Sequence, residues 1–257
     1  MVRGLDKLKE YFKDYADNYI IIGGTACDII IDDAGFTPRA TKDIDIILVV
    51  EVLSADFVKQ FWQFINDGNY ERKEKSEEER KYYRFIKPEN TDFPYQVELF
   101  ARNPDLLDLD EDTHLTPIPV DDDLSSLSAI LLDETYYHYL IENSTVEDDV
   151  QRANTEALIC LKAKAYLDIN ARMIAGGKED SKNLRKHKGD VFRLGVMLAD
   201  VDAFELPNII KNDMQKFVNA VKEDLPDKQI FKTMGLGNVN VDNVYEQLIK
   251  SFGLDGK

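Results

Sequence analysis

Apolar residues recur at helical spacing over residues 5–17 (Leu5, Leu8, Tyr11, Phe12, Tyr15) with charged residues between them, which predicts an amphipathic helix. It runs into YIII at 19–22, a strand that Gly23-Gly24 ends. Thr25 followed three residues later by Asp28 resembles a capping box opening a helix to about residue 33. Gly35 and Pro38 mark a loop, and IDIILVV at 44–50 is an apolar, β-branched run that reads as a buried strand. A second amphipathic helix is expected over 55–66, carrying Phe57, Phe61, Trp62 and Ile65, with Asp67-Gly68 as its stop. The densely charged stretch 71–80 reads as strand ends around an exposed turn. Strands are expected at 81–86 and 95–100, separated by a loop at 90–94.

Residues 103–123 are rich in Asp and Pro and irregular. From about residue 154 the pattern is helical, with segments near 154–175, 181–199, 213–224 and 241–252. These elements predict an α/β (α+β) fold: a small mixed sheet with helices over residues 1–125, then a mainly helical domain over 126–257. No apolar run approaches the roughly 20 residues needed to span a bilayer, so no membrane partner is expected. The charged N-terminal stretch lacks the apolar core of a signal peptide, and a cytoplasmic location is the expectation. Two cysteines, Cys27 and Cys160, lie in apolar helical stretches and read as buried thiols. With only three histidines and no CxxC pair, they argue against zinc. Acidic residues outnumber basic ones, 49 to 32, for a net charge of −17. Such a field repels nucleic acid except where a local basic patch overrides it.

Chemistry concentrates at Asp43-Ile44-Asp45. Alternate strand residues share a face, which sets the two carboxylates about 7 Å apart along the backbone. Hard oxygen ligands at that spacing suit Mg²⁺, which completes its shell with water and phosphate. DxD alone is as readily two strand-edge acids facing water. Gly23-Gly24, between a strand and a helix N-terminus, adds bare backbone N–H groups that attract phosphate, although a simple tight turn has the same signature. Glu98 lies in the strand-like YQVELF, opposite in facing to Val97 and Leu99, and would meet Asp43 and Asp45 if the strands are neighbours. Arg39 and Thr41 stand just ahead of the first acid, where a guanidinium suits bidentate phosphate binding or is a plain surface arginine.

In order and spacing these segments resemble the DNA polymerase β nucleotidyltransferase superfamily, and within it the AbiEii-type (abortive-infection, toxin–antitoxin) family. The resemblance rests on IIIGGTACDIII at 20–31, PRATKDIDIIL at 38–48, QVELF at 96–100, EALICLKAKAYLD at 156–168 and LRKHKGDVFRL at 184–194. It implies that Asp43, Asp45 and Glu98 ligate Mg²⁺ (or Mn²⁺), and that Gly23, Gly24 and Thr25 hold the triphosphate of an NTP. Arg39 and Thr41 match positions the family's motif fills with Arg and Ser or Thr. A tRNA end or a protein side chain would be the acceptor, and a cognate antitoxin a further partner. Two departures stand out: a longer gap between the glycines and the first aspartate, and Glu in place of the commoner third Asp.

In the helical half, Lys164, Asp168 and Arg172 share one stripe, either as a solvated seam of ion pairs or with Lys164 reaching the triphosphate across an interdomain cleft. The resemblance adds a helical-domain Lys and a later Asp, matched by Lys164 and Asp190, with Lys162 as the rival register. Residues 178–188 hold five basic residues and His187, either a charged helix start or a patch for nucleotide or RNA phosphates. His114 and His138 have no partner pattern. The reading is an Mg²⁺-dependent nucleotidyltransferase. A nucleotide- or antitoxin-binding module on the same fold is the alternative, and an aminoglycoside-modifying enzyme a more distant one.

Overall fold

The computed structural model describes residues 2–71, 82–100, 130–131, 133–177 and 180–255. The fold is mixed α/β. Two compact units emerge, one formed by Met1–Ile29, Ala40–Asp121 and Ser144–Ala153, the other by Ile30–Arg39, Asp122–Asn143 and Asn154–Lys257. The irregular stretch 103–123, His114, Lys178 and most of 71–80 lie outside the described residues.

In the first unit, α1 (Leu5–Phe12) continues as a 3₁₀ segment (Lys13–Asn18) into β1 (Tyr19–Ile22). Then come α2 (Gly23–Asp33), β2 (Asp43–Leu48), α3 (Ala55–Gly68), β3 (Tyr82–Ile86) and β4 (Gln96–Phe100). The hairpin β5 (Ser144–Glu147) and β6 (Val150–Ala153) completes the sheet. The strand order is β3-β4-β2-β1-β6-β5. β1 runs antiparallel to β2, while β2 and β4 are parallel. β1 is buried along its whole length, as its four apolar residues require.

One face of this sheet carries an aromatic core. Phe12 meets Tyr19, Phe57, Phe61 and Phe64 at ring-centroid distances of 5.9, 5.5, 6.2 and 5.3 Å. Phe61 reaches Phe85 of β3 at 5.7 Å, edge to face. Pairs of this kind add about 0.5–1.5 kcal/mol each beyond the area they bury. The start of α3 is fixed by Ser54, whose hydroxyl accepts from the Phe57 N–H and whose own N–H donates to Asn18. Such a cap is worth about 1 kcal/mol.

The second unit is helical: α4 (Glu134–Glu142), α5 (Thr155–Ile174), α6 (Ser181–Gly195), α7 (Asn208–Val221), α8 (Gln229–Lys232) and α9 (Val241–Ser251). α5 is buried over most of its first four turns, as its apolar circumference demands. Tyr166 packs edge-on to Phe217 at 5.3 Å. Gly195, the last residue of α6, lets α9 approach closely, since a methyl group there would stand 3.0 Å from Val244.

Thr25 does not cap α2, contrary to the capping-box expectation. The helix begins two residues earlier, at Gly23, and the Thr25 hydroxyl donates to the Asp43 carbonyl at 2.5 Å. Asp28 instead accepts from the Thr41 hydroxyl. Both threonines thus pin the chain ahead of β2 onto α2.

Candidate functional site

Register brings the acids together. Asp45 of β2 stands opposite Ile22 on one side and opposite Glu98 on the other, and Glu98 in turn stands opposite Arg84. Asp43, two residues earlier on the same face, lies opposite Gln96. Ile44 and Ile46 point the other way and are buried, as are Val97 and Leu99 around Glu98. The sheet therefore presents a row running Arg84, Glu98, Asp45 and ending at the β1–α2 turn.

At that end Gly23, with φ of 70°, is the first residue of α2. A methyl group on its Cα would overlap Asp45 Oδ2 outright. The turn needs glycine twice over, for the left-handed backbone and for the approach of the carboxylate. Gly24 and Thr25 complete the first turn, and Thr25 is fully buried.

Glu98 is 6% exposed. Arg84 Nε donates to Glu98 Oε1 at 2.8 Å, and Gln96 Nε2 donates to the same oxygen at 2.5 Å. Burial pushes the Glu98 carboxyl up to about 9, with Asp45 adding to the rise and Arg84 opposing it. Burial thus favours a proton on Glu98 in neutral solution, where a nearby cation would serve the same purpose. The folded state then binds a proton that the unfolded chain, with an ordinary glutamate, has released. The contribution is fully present below about pH 4.5 and is lost as pH rises toward 9. Glu98→Gln will therefore gain stability relative to wild type across that window, read as the difference in urea midpoints at pH 5 and pH 8.5. A constant difference would show that Glu98 takes up no proton on folding.

Among the described residues, no three His, Cys, Asp or Glu side chains form a ready metal cage. The donor set nevertheless fits a hard cation. Two aspartates share a face, the Asp45 carboxylate fills the space that the missing Gly23 side chain leaves beside the α2 N-terminus, and the third carboxylate lies in line with them, held by Arg84.

The second unit holds its own buried charge cluster. Asp190, 3% exposed, receives Arg193 at 3.1 Å on Oδ1, while Lys162 and Arg39 approach Oδ2 at 3.4 and 3.5 Å. Oδ2 accepts no hydrogen bond there. Burial alone would raise the Asp190 carboxyl, but Lys162, Arg39 and Arg193 overcome it and hold it below the ordinary range. His187, beside them, is driven down to about 3, first by burial and then by Lys162, so it is neutral. Arg39, Lys162 and Arg193 thus converge on the buried Asp190 carboxylate.

Lys164 points elsewhere in that unit, to Asp168 and Asp213, each at 3.3 Å. Asp190 is met by the rival lysine, Lys162. The basic stretch from 178 is not one patch: Lys182 and Arg185 are exposed, but Lys188 is buried and bonds the Asp224 carbonyl and carboxylate at 2.6 and 2.7 Å. Arg84, Gln96 and Arg193 were missed in the sequence. Only strand and helix register, which a pattern does not supply, brings them to the acids.

No family model matches the chain, and no curated protein matches it. One solved structure similar to it is described as "Crystal structure of an antigenic nucleotidyltransferase-like protein from Paracoccidioides brasiliensis". The match covers 90% of this chain and 100% of that one at 13% identity, with a TM-score of 0.40, a likeness too slight to carry an argument. Among the described residues, no helix is long and apolar enough to cross a membrane.

Proposed function

We propose that this chain is a nucleotidyltransferase that moves a nucleoside monophosphate from an NTP to an acceptor hydroxyl and releases pyrophosphate, with Mg²⁺ or Mn²⁺ held by Asp43 and Asp45 and bordered by Glu98. The observation that carries the reading is the packing of Asp45 against bare Gly23 at the N-terminus of α2, in register with Glu98. The bound metal would supply charge neutralisation for the triphosphate and activation of the acceptor hydroxyl. The chain's own residues do the rest. Gly23 and Gly24 would bring the backbone N–H groups of the first helical turn close to a phosphate. Thr25 and Thr41 hold the approach to β2 in place, and Arg84 with Gln96 fixes the Glu98 carboxylate. The motifs resembling AbiEii-type proteins support a tRNA end or a protein side chain as acceptor, and an antitoxin as partner.

A second reading, a nucleotide- or antitoxin-binding module without turnover, is favoured by one observation: Glu98 is already engaged by Arg84. Incubation with α-labelled NTPs, Mg²⁺, total tRNA and a protein fraction separates the readings. Label on either acceptor, lost in Asp43→Asn, supports transfer. Label on protein but not RNA rejects the RNA acceptor. No label on either, with Mg·NTP still bound, supports the binding module.

A further inference from the structure

Arg84 sits where its charge matters most. It comes from β3, directly opposite Glu98, and its guanidinium is largely buried against that carboxylate at 2.8 Å. Arg84 and Gln96 both donate to Glu98 Oε1. On the other side of Glu98 stands Asp45, next to the Gly23 turn. A cation is thus built into the acidic row. It stands at the outer end of the row, against Glu98, and among the described residues no three acids form a metal cage.

We infer that Arg84 is a resident counter-ion that keeps the row from binding a divalent metal tightly until a nucleotide supplies phosphate oxygens. The inference rests on the transferase site proposed above. Its physical basis is that a fixed positive charge a few ångströms away repels an incoming dication with twice the force it exerts on any monovalent competitor. It also occupies lone pairs that the metal would need. The triphosphate compensates by adding negative charge and oxygen ligands beside Asp43 and Asp45. Arg84 is a positioning residue: it acts through Glu98, and it makes metal binding follow nucleotide binding.

The test is a Mn²⁺ titration of the full chain followed by electron paramagnetic resonance of free Mn²⁺, alone and with a non-hydrolysable NTP analogue. Wild type should bind Mn²⁺ weakly alone and more tightly with nucleotide. Arg84→Met should bind Mn²⁺ alone at least about tenfold more tightly than wild type, since the repelling charge is gone. Arg84→Lys, which keeps the charge, should stay weak. If the Met variant does not fold by circular dichroism, Arg84→Gln carries the test, retaining a donor to Glu98 without the charge. Equal Mn²⁺ affinity in wild type and the uncharged variant, with nucleotide tightening both, would overturn the role of Arg84 and leave the site reading intact. Failure of every protein to bind Mn²⁺ under either condition would overturn both.

Discussion

Replacing Gly23 by alanine will abolish metal–nucleotide binding and cost stability as well. The new methyl group would occupy the space of Asp45 Oδ2, so either the carboxylate swings away or β1 and β2 part. Non-glycine residues at φ near 70° add about 1–2 kcal/mol of backbone strain. The expected result is a fold that melts lower and whose melting temperature no longer responds to Mg·NTP. Gly35→Ala is the matched control. It too has positive φ, but nothing lies within 4 Å of its added methyl, so only the strain should appear. Retention of a full Mg·NTP response in Gly23→Ala would show that Asp45 is not part of the site.

The second large effect is expected at Asp190. Truncation to alanine leaves Arg39, Lys162 and Arg193 facing one another without their shared carboxylate. Breaking a buried ion pair by removing one partner typically costs about 3–5 kcal/mol, and here three cations lose the same partner. Urea unfolding should show that loss. Asp190→Ala combined with Lys162→Met should recover part of it, because one stranded charge is gone. A cost below about 1 kcal/mol, the range of exposed pairs, would mean that the cluster is solvated.

The parts of this architecture legible in the sequence are those where one local rule dominates. YIII and the start of IDIILVV form buried strands, as apolar β-branched runs bounded by turn residues favour, and Gly23-Gly24 punctuates where the chain turns. The hairpin β5–β6 was not foreseen. Its strands are four residues each and largely polar, and its turn is made by Asp148 and Asp149 at φ of 51° and 65°, without the glycine that usually signals such a turn. α4 was hidden by its tyrosines, which read equally well as strand, and only the Asp133 cap accepting from Thr135 and Tyr136 marks its start.

The site was legible in kind and not in detail. Asp43, Asp45 and Glu98 were visible as acids on alternating strands, but Arg84 required the antiparallel register of β3 with β4. The resemblance matches Lys164 with Lys162 as its rival, yet it is Lys162 that meets Asp190; α5 is apolar nearly all round, so no face announces which lysine turns that way. Thr25 looked like a helix cap because its spacing from Asp28 matches one. The tertiary bond to Asp43 prevailed over that local option.

The most direct test of the account is thermal unfolding with and without Mg·NTP, for wild type and for the Asp43→Ala, Asp45→Ala double variant. At a hundredfold excess over Kd, binding adds about 2.7 kcal/mol, which for a chain of this size raises Tm by roughly 5–10 °C. The account predicts that rise in wild type, its disappearance with chelator, and no rise in the double variant under any condition. A double variant that shifts with Mg·NTP as wild type does would contradict it, and would place the nucleotide elsewhere in the chain.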